Sequence, residues 1–181
     1  MATFPARWPW RRPTVPASLI PLLGPDERLL TAAACVDGTV LAASRFGLWV
    51  VGDAGPERFG WHLVSKARLT ARVLTITAAA VIGQLDDETQ VLTDLPFQEF
   101  ELADRSDLTD VVHARVRRSV AASRHLPWPG AGGWVVLRRV PGRDGLTRQV
   151  RLDPGGDAGV PGFAEAVAVV ADQLVDVTTS G

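Results

Sequence analysis

Residues 28–51 read RLLTAAACVDGTVLAASRFGLWVV, and this stretch decides the fold. Two apolar runs, Arg28–Cys35 and Thr39–Ser44, flank Val36-Asp37-Gly38. Asp-Gly between such runs signals a hairpin, because glycine accepts the positive φ that a tight two-strand turn requires. A third run, Phe46–Val51, follows one polar corner, and Gly52-Asp53-Ala54-Gly55-Pro56 then reads as a turn. Beyond it the pattern predicts a strand over Arg58–Leu69, with Phe59, Trp61 and Leu63 on one buried face. Arg72–Ala79 alternates Val73, Thr75 and Thr77 with Leu74, Ile76 and Ala78. Thr89–Leu95 alternates in the same way after a turn at Gly83–Glu88. About six short strands with tight connections predict an antiparallel meander.

The period changes after residue 105. Ser106 is a candidate N-cap, and Asp107 and Asp110 suit the positive end of a helix dipole. Leu108, Val111, Val112, Val116, Ser119, Val120 and Ser123 recur at helical spacing, which predicts a helix running to Pro127. Trp134–Val140 and Leu146–Leu152 then read as a hairpin around Pro141–Gly145. Its alternation predicts Trp134, Val136 and Val150 on the buried face and Arg139, Gln149 and Arg151 on the exposed one. Phe163, Val167, Val170, Ala171, Leu174 and Val177 make a second helical stripe, entered through Pro161. The expected fold class is α+β, an antiparallel meander closed by an amphipathic helix, with a C-terminal β-hairpin and helix. The expected divisions are an N-terminal arm at 1–25, a β-domain with its closing helix at 26–126, and a hairpin and helix at 127–181 packed on the same domain.

The arm carries Pro5, Pro9, Pro13, Pro16, Pro21 and Pro25, so neither a regular helix nor a central strand can persist there. Arg11-Arg12 before Ala17–Leu23, and Ala32-Ala33-Ala34-Cys35, faintly suggest export. The prolines break the apolar core that a signal needs, so the expectation is a cytoplasmic protein. In 181 residues, 46% are hydrophobic and 22% charged, which excludes a wholly disordered chain. The single cysteine, Cys35, excludes an internal disulfide and a thiolate zinc cluster. No apolar run approaches the roughly 20 residues of a membrane span.

Six meander strands followed by an amphipathic helix resemble the order of a pleckstrin-homology-like fold, in which a helix closes one corner of a bent sheet. Phe59-Gly60-Trp61-His62-Leu63-Val64-Ser65-Lys66-Ala67 is similar to the tryptophan-bearing stretch that leads into the second sheet of bacterial members. Across about residues 26–177 the chain resembles a group of short, uncharacterised actinobacterial proteins. The matching features are Glu27-Arg28-Leu29-Leu30, Trp61-His62-Leu63-Val64, Val116–Arg124 with Ser-Arg-His, and Asp153-Pro154-Gly155 before the last helix. The resemblance implies a fold and no catalytic residue. Lipid binding among pleckstrin-like domains relies on a lysine-rich first hairpin loop, a place held here by Asp37-Gly38.

Candidate chemistry is sparse. His62, His113 and His125 are the only histidines, and no Gly-x-Ser-x-Gly elbow occurs. Asp86-Asp87-Glu88 reads as a solvated turn, Asp153–Asp157 as a strand-to-helix turn, and Gly130–Gly133 as a linker. No catalytic residue, metal site or cofactor is expected.

Charge is the most informative feature. Only Lys66 among the 19 basic residues is a lysine, a bias expected of a GC-rich genome. Ten arginines against three acids fall within 105–151, whereas 152–181 holds five acids and no base. Either the basic hairpin pairs with the acidic last helix, or it presents an anion-binding face. The first option predicts Arg138 or Arg148 beside Glu165, Asp172 or Asp176. The favoured function is a non-catalytic binding or scaffold module for a protein partner. The alternative is anion or nucleic-acid binding through 105–151, with Arg117, Arg124, Arg139, Arg143 and Arg151 as the candidate surface. A hydrolase is third.

Overall fold

In the computed structural model, which describes residues 15–179, the hairpin at Asp37-Gly38 forms between β1 (Leu29–Ala34) and β2 (Val40–Ser44). Gly38 adopts φ +88°, and Asp37 Oδ1 accepts the Thr39 N–H at 2.9 Å. Adding β3 (Gly47–Gly52) and β4 (Gly55–Gly60) gives a four-stranded antiparallel sheet in chain order. Gly47 is obligatory in it, because a Cβ there would lie 2.4 Å from the Phe59 carbonyl oxygen.

The expected strand over Arg58–Leu69 is interrupted. Trp61–Leu63 form a turn, and β5 (Val64–Thr70) starts the second sheet. Trp61 is nonetheless buried, at 1% exposure, and its Nε1–H donates to the Ser44 carbonyl at 3.1 Å. The expected burial holds, in a turn rather than in a strand. The next strand, β6 (Val73–Gln84), outruns its expected length because it serves both ends of a bend. Its first half pairs with β5 and with β8 (Gln98–Glu101), a strand missed in the sequence. Its second half pairs with β7 (Thr89–Asp94).

The helix α1 spans Leu108–Ser119, with Ser106 Oγ accepting the Leu108 N–H at 3.1 Å. It does not run to Pro127. Val120–Leu126 are the strand β9, antiparallel to β10 (Gly133–Arg138), which in turn pairs with β11 (Thr147–Leu152). Short polar and small residues at 119–123 satisfy helical and alternating patterns equally, and pairing with an apolar β10 decides the outcome. β11 lies parallel to β7, so the C-terminal hairpin extends the sheet of the meander in the order β5-β6-β7-β11-β10-β9. The whole is α+β, mostly antiparallel and strongly curled.

Among the described residues three apolar clusters hold it. The first lies between the four-stranded sheet, β5, β6, β8 and α1, and includes Leu48, Trp61, Leu74, Phe100, Leu108 and Val112. The second lies under α2 (Phe163–Thr179), where Phe163, Val167, Ala171 and Leu174 meet Val135, Leu137 and Val150. Val177, placed on that stripe from the sequence, is exposed. The third packs Leu19 on Ala42, Trp49 and Val51, so part of the expected arm covers the outer face of the first sheet. Trp8 and Trp10 lie outside the described residues. Among the described residues no helix is long and apolar enough to cross a membrane.

The face assignment of the C-terminal hairpin needs correction. Val135, Leu137 and Val150 face α2, while Trp134 is about half exposed. Gln149 and Arg151, expected in solvent, are buried on the opposite face with Val136 and Arg138. Both faces of this hairpin are covered, one by a helix and the other by the curl of its own sheet.

Candidate functional site

Two cavities bring charged side chains together. The first, of about 480 Å³, lies at the corner where α1 ends. The Arg139 N–H donates to the Ser119 carbonyl at 2.7 Å, which ties the loop after β10 to the helix end. Arg115 and Arg118, three residues apart on α1, share a helix face there. Arg139 and Arg143 enter from the 139–146 loop, and Arg45 from the corner between β2 and β3. Trp61 and Ser119 line the cavity as well, and Asp144 is its single acidic residue.

None of these five arginines forms an ion pair among the described residues. Arg139 Nη1 donates to the carbonyls of Arg118 and Val120 at 3.4 and 3.3 Å, which serves helix-end acceptors that α1 leaves open. Arg45 lies over the Phe46 ring, 5.7 Å from its centroid. Burial, then the like charges of Arg118 and Arg45, push the Arg115 guanidinium below its ordinary value. A helix C-terminus carries roughly half a negative charge, which accounts for one arginine and not for five.

Of the residues expected on an anion surface, Arg139 and Arg143 line this cavity. Arg117 is exposed elsewhere on α1, and Arg124 on β9 donates to Gln173 of α2. Arg151 is a correction: it is 8% exposed and pairs with Asp94 at 3.2 Å. Arg45, Arg115 and Arg118 also line the first cavity and lie outside the expected surface. The last two lie within the basic segment already noted, but nothing in the sequence brings Arg45 to the same corner.

The second cavity, of about 540 Å³, is a groove inside the curl of the second sheet, between β5 and β9. Arg138 and Arg151 lie in its lining with Lys66, Asp94, Ile82 and Trp134. The expected pairing of hairpin and helix also exists, on the other face. Arg148 Nη2 meets Asp172 at 2.8 Å and Arg148 Nε meets Glu88 at 3.4 Å.

The remaining candidates for chemistry are dispersed. His62 lines neither cavity; burial and then the charges of Arg138, Arg143, Arg151 and Arg58 hold its pKa below the ordinary value. His113 Nε2 contacts the Ala67 carbonyl at 3.1 Å, and His125 Nε2 meets Asp153 at 2.8 Å. Burial, with Asp37 nearby, raises the Cys35 thiol to about 11, so almost no thiolate exists at neutral pH. Asp86 is occupied as a turn acceptor for the N–H groups of Glu88 and Thr89. Among the described residues no group of three His, Cys, Asp or Glu side chains is arranged to hold a metal ion. Comparison with family models, curated proteins and solved structures gives no match.

Proposed function

We propose that the protein is a non-catalytic binding module that recognises a phosphate-type anionic group through the corner cavity. The observation that carries this reading is the set of five arginines around about 480 Å³ with no carboxylate among the described residues paired to any of them. Guanidinium groups offer forked donors that match phosphate oxygens two at a time. Like charges held at one corner repel, so an arriving anion relieves a cost already present in the free protein. The Arg148–Asp172 pair supports the internal reading for that one arginine, and the corner arginines fall outside it. The order of four-stranded sheet, bent β6 and closing α1 supports a pleckstrin-homology-like reading of the first part of the chain.

A protein partner is the second reading. Leu95 and Phe97, 40% and 64% exposed between β7 and β8, favour it.

Titration of the full chain with pyrophosphate, followed by calorimetry at low and high salt, tests the first reading. Saturable binding that weakens with salt, and weakens at least about tenfold in Arg139→Ala/Arg143→Ala, is expected. Binding that is absent at low salt, or indifferent to those substitutions, overturns it.

A further inference from the structure

The groove inside the second sheet has a different chemistry from the corner cavity. Arg138 and Arg151 are 3% and 8% exposed, and the Nε of each is buried without a partner. Arg138 donates from Nη1 to Ser119 Oγ at 2.6 Å and from Nη2 to the Val64 carbonyl at 3.4 Å. No carboxylate among the described residues pairs with it. Asp94 pairs with Arg151 at 3.2 Å and with Lys66 at 3.4 Å, and it also accepts from Ser65 Oγ at 2.6 Å. One carboxylate therefore serves two cations, and the most buried cation has none. Asp153, at the end of the groove, is engaged by His125.

Burying a charge with neutral partners alone is costly, and hydrogen bonds to a hydroxyl and a carbonyl offset only part of that cost. Burial, and then the neighbouring Arg151, lower the Arg138 pKa to about 10, which leaves it charged at neutral pH. The walls differ in kind. Ile82 is 57% exposed and Trp134 49% exposed, and Val120 and Val136 also line the groove. Its volume of about 540 Å³ suits one small molecule.

We infer that this groove binds an amphipathic carboxylate, with its anionic head against Arg138 and Arg151 and its apolar body along Ile82, Val136 and Trp134. One unmatched buried cation beside Asp94 favours a singly charged head over a dianion. The exposed Trp134 and Ile82 favour an apolar body over a small inorganic ion. This ligand and the corner anion occupy separate cavities, so either can fail without the other.

Dodecanoate, kept below its micelle concentration, is the probe, titrated calorimetrically into the full chain. Saturable one-to-one binding is expected, with acetate and dodecyltrimethylammonium each at least about tenfold weaker. Trp134→Ala and Ile82→Asp alter exposed side chains, so both should fold, as a thermal melt will verify, and both should weaken dodecanoate at least about tenfold. Arg138→Met should abolish the preference for the anion over the cation; should it fail to fold, the two wall variants carry the test. Arg139→Ala/Arg143→Ala should leave dodecanoate binding unchanged. Absence of saturable binding, equal affinity for the cationic amphiphile, or indifference to both wall substitutions overturns the inference.

Discussion

Replacing Glu27 by alanine should destabilise the protein by about 3–5 kcal/mol, the range for breaking a buried, hydrogen-bonded ion pair. Its side chain is fully buried, and its carboxylate accepts from Ser44 Oγ at 2.5 Å, Trp49 Nε1 at 2.9 Å and Arg58 Nη1 at 2.9 Å. These donors do not lose equally. Arg58, with 43% of its side chain exposed, regains water, so its share is at most about 1 kcal/mol. Ser44 retains the Gly47 carbonyl at 3.1 Å as an alternative acceptor. Trp49 Nε1 has no second acceptor among the described residues and is left stranded, at about 1–3 kcal/mol. The one deleted methylene, Cγ, adds roughly 0.8 kcal/mol. For a chain of this length the melting temperature should fall by roughly 6–20 °C. Burial alone would raise the Glu27 pKa, but the bonds from Ser44 and Trp49 and the Arg58 charge outweigh it and hold the carboxyl below its ordinary 4.5. The stabilisation is therefore complete above that value and is lost as the pH falls through the lower, folded-state pKa. Urea melts of wild type and Glu27→Ala at neutral and acidic pH test both parts. A neutral-pH loss under about 1 kcal/mol, or a difference between the two proteins that does not shrink in acid, would refute the reasoning.

Trp61→Ala should cost about 3–5 kcal/mol in the same assay, since a fully buried ring and its hydrogen bond to Ser44 are both removed. A double-mutant cycle on Arg148 and Asp172 should give a coupling of only about 0.2–1 kcal/mol, because the carboxylate is largely exposed. That coupling should fade in about 1 M salt. His62 should titrate, by NMR, below the ordinary 6.5. The unfolded chain then takes up the His62 proton first, so this residue makes stability decline as the pH falls from 6.5 toward the folded-state pKa; a midpoint above 6.5 would contradict the burial argument.

The first sheet was legible because its signals are local. Asp37-Gly38 fixes a turn whatever surrounds it, and the apolar runs beside it pair across that turn. The extent of α1 was not legible, because residues 119–123 fit a helix and a strand alike until β10 offers an edge. The orientation of the C-terminal hairpin failed for a related reason. Alternation assigns a buried face only when the other face meets water, and here Val135 and Val136 are both buried on opposite sides of one strand. Nor could local pattern reveal the parallel pairing of Val150 with Val91, on which the curl of the second sheet depends.

The uneven distribution of charge was visible in the sequence, and Arg148 meeting Asp172 satisfies the internal pairing at one arginine of the hairpin. The last thirty residues hold five acids, and two are already committed away from the basic hairpin. Asp153 engages His125, and Asp157 Oδ1 accepts the Gly159 N–H at 2.8 Å. The other three, Glu165, Asp172 and Asp176, lie on α2, against ten arginines in residues 105–151. Internal pairing is thus limited by number before geometry enters, and geometry limits it further. α2 packs on β9 and β10 from the face opposite Arg138, and the corner arginines gather at the far end of α1. Arg148 is neutralised by the helix, whereas Arg138 is walled off from it by the sheet itself. On one face of the sheet α2 supplies a carboxylate to Arg148, and on the other Asp94 pairs with Arg151. Among the described residues no carboxylate pairs with Arg138 or with the corner arginines, and that shortfall is why both proposed ligands are anions.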